Sequence, residues 1–181
     1  MAMLATQIAT ATAVVTWMIV EWCSTGKPTA VGVATGAVAG LVAITPASGV
    51  CGPLGAIIIG FSAAVICYFG ATTLKKKFGY DDSLDVFGVH GIGGIVGAIL
   101  SGVVAYKAFG GSGYHEASSD TAMLAQVFIQ MKSVIVTIIW SGVVSVVALI
   151  AIDKTVGLRV DEDVEEQGLD FNEFGETGYN H

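Results

Sequence analysis

The longest charge-free stretch decides the class of fold: residues 28–74 read PTAVGVATGAVAGLVAITPASGVCGPLGAIIIGFSAAVICYFGATTL, with no Asp, Glu, Lys or Arg among them. A helix needs about 20 apolar residues to cross the hydrocarbon core of a bilayer, so this stretch suits two spans. Its middle, residues 45–53 (TPASGVCGP), concentrates the Pro, Gly and Ser that interrupt helices. We therefore predict two membrane-spanning helices joined by a short turn.

The composition of the whole chain agrees with a membrane protein. Of 181 residues, 54% are hydrophobic and only 13% are charged, and the mean hydropathy is +0.74. Soluble domains carry about 25% charged residues. These values exclude an ordinary soluble domain, a disordered chain and a protein that binds nucleic acid through its charge. The fold class that remains is an all-α polytopic membrane protein.

Charge-poor windows predict five transmembrane helices, over residues 2–20, 29–45, 53–74, 85–106 and 122–152. Together they form a membrane region, residues 1–156, followed by a tail, residues 157–181. The last window would be about 45 Å long as a helix, which exceeds the thickness of the hydrocarbon core. The tail holds eight acidic residues and a single basic one, so the net charge of −7 belongs to it.

The distribution of basic residues predicts the orientation of the chain. Loops alternate sides, and one side collects Lys27, Lys75, Lys76, Lys77, Lys154 and Arg159, against Lys107 and Lys132 on the other. The side richer in Lys and Arg faces the cytoplasm. We therefore expect a multi-pass plasma-membrane protein with a cytoplasmic tail and an outer N-terminus. Because no anchor flanks Met1 on that outer side, we also expect a truncated chain.

Small residues predict where the helices meet. Gly32, Gly36 and Gly40 follow one another at every fourth position, which places them on one face of the second helix. Glycines at this spacing let helix backbones approach closely in lipid. Trp17, Trp22 and Tyr68 lie near span ends and are expected in the aromatic belt of the membrane interface.

His90 is the candidate functional residue. It lies about 6–8 Å inside the fourth window, counted from Asp85, and ionisable groups at such depth usually face a cavity or the interior of a bundle. A neutral imidazole has one donor and one acceptor, so it could relay hydrogen bonds along a path, or make one interhelical bond. Asp85 is either an acid at the positive end of the helix dipole or a group that attracts a cation. Lys75, Lys76 and Lys77 are expected to anchor the third helix to anionic headgroups.

The sequence offers no pattern for an enzyme. It has no nucleophile–base pair, no phosphate-binding or dinucleotide-binding glycine motif and no ligand spacing that links His90 to His115 or His181. We therefore expect neither a metal nor a cofactor.

Four stretches carry a resemblance to a known family. They are residues 85–97 (DVFGVHGIGGIVG), residues 35–49 (TGAVAGLVAITPASG), residues 139–144 (IWSGVV), and the tail, with GLRV at 157–160 and EQGLD at 166–170. This set resembles the Amt/MEP/Rh ammonium transporters, and their bacterial-type branch most. The resemblance implies an eleven-helix fold, of which this chain would be the last five helices and the tail, with about six helices absent.

The resemblance also implies roles for particular residues. His90 matches the second member of a histidine pair in the family's pore, Val86 and Thr45 match pore positions, and Asp85 matches a structural acid. Ammonium would be recruited and deprotonated, and ammonia and the proton would pass the histidine pair separately. The family forms homotrimers in the lipid bilayer, and its tail, matched here by Gly157, Arg159 and Asp170, is regulatory and meets PII-type signalling proteins.

Two functions remain open on this evidence. The first is a subunit that moves ammonium or ammonia through a hydrophobic pore. The alternative is a non-conducting membrane protein whose cytoplasmic tail acts as an interaction or regulatory module.

Overall fold

The structure is a computed structural model that describes residues 1–114 and 120–176; His115 and His181 lie outside them. The described residues form helices and no strands. The main helices are α1 (Ala2–Thr25), α2 (Ala30–Ile44), α3 (Pro53–Phe78), α4 (Phe87–Val104), α5 (Asp120–Thr155), α6 (Glu162–Gln167) and α7 (Leu169–Phe174). The chain divides into two compact units, residues 1–135 and residues 136–181.

Among the described residues, four helices are long and apolar enough to cross a membrane: α1, α3, α4 and residues Thr121–Thr155 of α5. Helix α2 is also apolar but has only 15 residues, about 22 Å of helix, which is less than the hydrocarbon core. It begins at Ala30 because the Thr29 side chain accepts a hydrogen bond from the Gly32 amide at 2.9 Å and so caps the helix.

Two helices of the first unit contain a π turn, in which the backbone bonds reach one residue further than in an α-helix. In α3 this turn covers Gly70–Leu74, and in α4 it covers Phe87–Gly91. The two turns pack against each other, since a Cβ on Gly88 would lie 2.8 Å from the Ala71 Cα. No side chain could be added there without moving a backbone.

Glycines hold α2 against α1. A Cβ on Gly36 would lie 2.7 Å from the Trp17 Cβ, and a Cβ on Gly40 would lie 2.8 Å from the Ala13 Cβ. A Cβ on Gly32 would collide with the Glu21 carboxylate. All three glycines are buried, so the face that they form is the surface on which α1 packs.

The aromatic residues near the end of α1 are divided between two environments. Trp17 and Tyr68 form an edge-to-face pair with ring centroids 5.4 Å apart, and their exposed fractions are only 4% and 6%. The expectation of a lipid-interface belt was therefore wrong for both, because each ring packs against a neighbouring helix. Trp22 is 60% exposed.

Hydrogen bonds tie the helix ends together at both ends of the first unit. At one end the Glu21 carboxylate accepts bonds from the Thr29 amide at 3.0 Å and from the Thr29 hydroxyl at 2.9 Å. At the other end the Ser112 amide donates to the Val50 carbonyl at 2.9 Å, which joins the segment after α4 to the α2–α3 turn. The chain therefore runs up and down between two sets of linked loops.

Candidate functional site

A groove of about 520 Å³ lies in the first unit between α2 and the start of α4. Its lining residues are Ala30, Val31, Ala34, Thr35, Val38, Leu84, Val86, Val89 and His90. Only Thr35 and His90 among them have polar side chains, and the Thr35 hydroxyl donates to the Val31 carbonyl at 2.8 Å. The imidazole of His90 is therefore the principal polar group presented to an apolar groove.

His90 reaches this groove from the π turn Phe87–Gly91. Its side chain is exposed in the groove, and Val86, one turn earlier, is 50% exposed on the same wall. The structure thus brings His90 and Val86 together. His90 thus lines a groove, which is one of the two settings expected for it, and its side chain is exposed among the residues that the structure describes.

The structure does not bring Thr45 to this groove. Thr45 caps the far end of α2, seven residues beyond Val38, or about 10 Å along the helix axis. Its hydroxyl donates to the Leu41 carbonyl at 2.7 Å. Thr45 therefore lies on the helix that forms the groove wall but outside the set of lining residues.

The loop before α4 fixes the start of that helix, which carries His90. The Asp82 carboxylate accepts bonds from the Val86 amide at 2.8 Å and the Phe87 amide at 2.9 Å, so Asp82 caps this helix. Asp85 has a φ of 54°, a left-handed conformation that Asp tolerates better than most residues. Its carboxylate pairs with the Lys75 ammonium at 2.8 Å.

Lys75 and Asp82 were missed as structural partners by reasoning from the sequence. Lys75 also donates to the Asp82 carbonyl, so it joins the end of α3 to the loop that carries both acids. The sequence did contain a signal for the cap. Asp82 lies three residues before Asp85, just ahead of the apolar run of α4, and an acid at that spacing can cap a helix. The assignment of Lys75 to lipid headgroups needs correcting, because its charge is paired within the chain.

A buried cysteine of α3 contacts the π turn of α4. The Cys67 thiol donates to the Val89 carbonyl across 3.9 Å and is fully buried. A Cβ on Gly93 would lie 3.1 Å from the Cys67 sulfur, so α4 rests closely on α3 at this level. Cys67 and Gly93 thus allow α3 and α4 to pack closely in the part of α4 that carries His90.

The residues of the tail that the resemblance singled out lie in the second unit. Gly157 ends α5 with a φ of 89°, and its amide donates to the Ile152 carbonyl at 3.0 Å. The Arg159 guanidinium contacts both Glu165 carboxylate oxygens at 2.9 Å, with both side chains exposed. Asp170 lies in the first turn of α7 and is exposed.

No cluster of three or more His, Cys, Asp or Glu side chains that could hold a metal ion occurs in the described ranges, residues 1–114 and 120–176.

Apolar helices that pack through glycines, around a groove with a single imidazole, define a multi-pass helical membrane protein. Comparison with known proteins is more specific. The model of the Ammonium Transporter Family matches residues 1–179. The chain belongs to this family, whose members are membrane transporters.

Individual relatives agree. The chain is 49% identical to an ammonium transporter of Aquifex aeolicus over 99% of this chain and 41% of that protein. It is 40% identical to an ammonium transporter of Bacillus subtilis over 96% of this chain and 43% of that protein. The chain thus spans about two fifths of the length of these relatives.

Solved structures show the same fold. The crystal structure of Saccharomyces cerevisiae Mep2 matches with a TM-score of 0.75 and 28% identity, over 90% of this chain and 37% of that one. A protein described as a sensor Amt protein matches with a TM-score of 0.83 and 28% identity, over 95% of this chain and 41% of that one.

Proposed function

We propose that the protein carrying this chain transports ammonium across the plasma membrane, and that this chain supplies one wall of its pore. The observation that carries the proposal is the groove of about 520 Å³, in which His90 and Val86 lie side by side on an apolar surface. The named relatives are ammonium transporters, which supports ammonium as the substrate. We propose transport rather than catalysis as the function.

The chemistry of the groove suits ammonia better than ammonium. Moving an ammonium ion from water into an apolar path carries a large desolvation penalty, whereas neutral ammonia carries a much smaller one. A path lined by Val86, Val89 and Val38 therefore favours deprotonation at its entrance. The His90 ring can offer ammonia one donor or one acceptor as it passes. His90 would act as one member of a histidine pair, with the proton travelling separately.

The remaining features of the proposal concern assembly and regulation. The protein would form a homotrimer in the bilayer, with the tail on the cytoplasmic side. Exposed Arg159 and Asp170 would then be accessible to a PII-type signalling protein. Thr45 and Asp85 would serve the pore indirectly, through α2 and through the start of α4.

The experiment that tests this function replaces His90 in the whole protein that carries this chain. His90→Ala should reduce ammonium flux into liposomes at least tenfold, or convert it to unselective cation leakage, while trimer content on native gels stays normal. A matched control is Val147→Ala on α5, whose side chain is 63% exposed and far along the sequence from the groove. Unchanged flux and selectivity in a normally assembled His90→Ala protein would exclude His90 from the path.

A further inference from the structure

Helix α2 contributes one polar side chain to the groove, that of Thr35. The other lining residues of this helix are apolar: Ala30, Val31, Ala34 and Val38. The Thr35 hydroxyl donates to the Val31 carbonyl at 2.8 Å, and because both residues line the groove, the hydroxyl oxygen lies along the groove wall. A polar atom therefore interrupts an otherwise apolar helix face.

The hydrogen-bonding capacity of this hydroxyl is restricted. A hydroxyl has one hydrogen to donate and lone pairs that accept, and the hydrogen of Thr35 is already bonded to the Val31 carbonyl. A neutral His90 ring, on the α4 wall, has both a donor and an acceptor. Toward a molecule in the groove, Thr35 is therefore an acceptor alone, and His90 is the lining side chain that can donate.

The bond to Val31 does not join Thr35 to a neighbouring helix. It connects two residues of one helical turn, and within residues 1–114 and 120–176 the Thr35 hydroxyl bonds to no other helix. Helix α2 packs on α1 through Gly36 and Gly40, which are buried, whereas the Thr35 side chain is partly exposed. The hydroxyl is therefore not required for helix packing, and its oxygen remains accessible from the groove.

We propose that the Thr35 hydroxyl oxygen accepts a hydrogen bond from an N–H of ammonia in the groove, which makes Thr35 a second substrate contact beside His90. This inference rests on the proposed function, since ammonia is the substrate proposed there. The N–H groups of ammonia lose water partners in an apolar groove, and an unpaired donor is costly. An oxygen that can only accept compensates for this loss, whereas an acyl chain has no donor for it.

The test measures saturable ammonium flux into liposomes with the whole protein that carries this chain. Thr35→Val keeps the shape of the side chain but removes the acceptor, so the half-saturating concentration should rise about fivefold, as expected for one hydrogen bond. The maximal flux should stay within about twofold of the wild-type value, because a lost contact with bound substrate lowers affinity. Thr35→Ala should show the same rise, and Thr35→Ser, which keeps the hydroxyl, should restore the wild-type value.

Thr155→Val is the matched control, and native gels record the trimer content of every variant. The Thr155 hydroxyl also donates to the carbonyl four residues earlier, that of Ala151, at 2.8 Å. Thr155 lies in the second unit, at the end of α5. Its substitution removes the same kind of helix bond without touching the groove wall, so the half-saturating concentration should stay at the wild-type value.

Several outcomes would overturn the inference. A wild-type half-saturating concentration in Thr35→Val and Thr35→Ala would exclude the contact, and a rise in Thr35→Val alone would indicate a steric effect. An equal rise in Thr155→Val, or in Thr35→Ser, would mean that the accepting oxygen is not the cause. His90→Ala separates this inference from the proposed function. If its flux falls while the Thr35 variants behave as wild type, the inference alone fails; if its flux is unchanged, both fail.

Discussion

Three carboxylates precede α4, and their surroundings differ. The Asp82 side chain holds two amides at the positive end of α4. Asp85 turns its backbone to a φ of 54°, which directs its carboxylate to Lys75. Asp81 is exposed. The position of His90 therefore depends on the first turn of α4, which the Asp82 and Asp85 side chains fix.

The different roles of Asp81 and Asp82 predict different losses of stability. Asp82→Ala leaves the amides of Val86 and Phe87 without their acceptor, and should lower the free energy of unfolding by about 1 kcal/mol. Asp81→Ala removes an exposed side chain and should change it by less than about 0.5 kcal/mol. Denaturant titration of both variants in the same detergent measures the difference. Equal losses would show that Asp82 does not act as a cap.

The three cysteines differ in exposure, so the rates at which they are labelled test the packing of the folded chain. Cys23 is exposed, whereas Cys51 and Cys67 are buried, with exposed fractions of 4% and 0%. Burial also raises the pKa of the Cys51 thiol, so less of the reactive thiolate is present at a given pH. We expect a maleimide to label one thiol per folded chain within minutes and all three after denaturation. Rapid labelling of Cys67 in the folded chain would contradict the packing of α3 against α4.

At the scale of helices, close approach between backbones depends on glycine. Gly36 and Gly40 leave room for α1 to pack against α2, and Gly88 leaves room for the π turn of α3. Gly94 differs, because a Cβ there would meet no atom within 4 Å. The glycines of the sequence are therefore not interchangeable, even where they repeat at a regular spacing.

This difference predicts the effect of two matched substitutions. Gly36→Leu would drive a side chain into Trp17 and separate α2 from α1, so the chain should lose its compact fold or assembly. Gly94→Leu enlarges a residue that faces open space and should be tolerated in this chain. Thiol labelling of Cys67 at increasing temperature measures the melting temperature of each variant. If Gly36→Leu melts at the temperature of Gly94→Leu, the packing of α2 on α1 does not depend on Gly36.

The helices could be predicted from the sequence, but their irregular turns could not. Charge-poor windows locate apolar helices because lipid excludes unpaired charges, and each of the five windows contains an apolar helix. The π turn at Phe87–Gly91 has no such signal, since it arises where Gly88 meets Ala71 on a distant part of the chain. The sequence likewise does not show that Asp82 caps α4 while Asp85 pairs with Lys75, because that pair joins residues ten positions apart.

For the whole chain, the openness of the groove bears most on the proposed transport. His90 is exposed in it, and residues 136–155 of α5 are exposed along their length. The relatives are more than twice as long as the matched region, which covers 41% and 43% of two of them. A path for ammonia must be closed on all sides, because an open groove in a bilayer would be filled by lipid.

The last prediction follows from that open groove. The 181-residue chain reconstituted by itself into liposomes should give no saturable ammonium flux, since only one wall of the proposed path is present and residues 1–114 and 120–176 place no second histidine beside His90. Ammonium-driven current or internal pH, recorded beside empty liposomes, measures this. The whole protein that carries the chain is the positive control, and its His90→Ala form should resemble the chain by itself. A saturable signal from the 181-residue chain that disappears in its His90→Ala form would show that the groove between α2 and α4 conducts without further walls, and that the path closes by association of these helices alone.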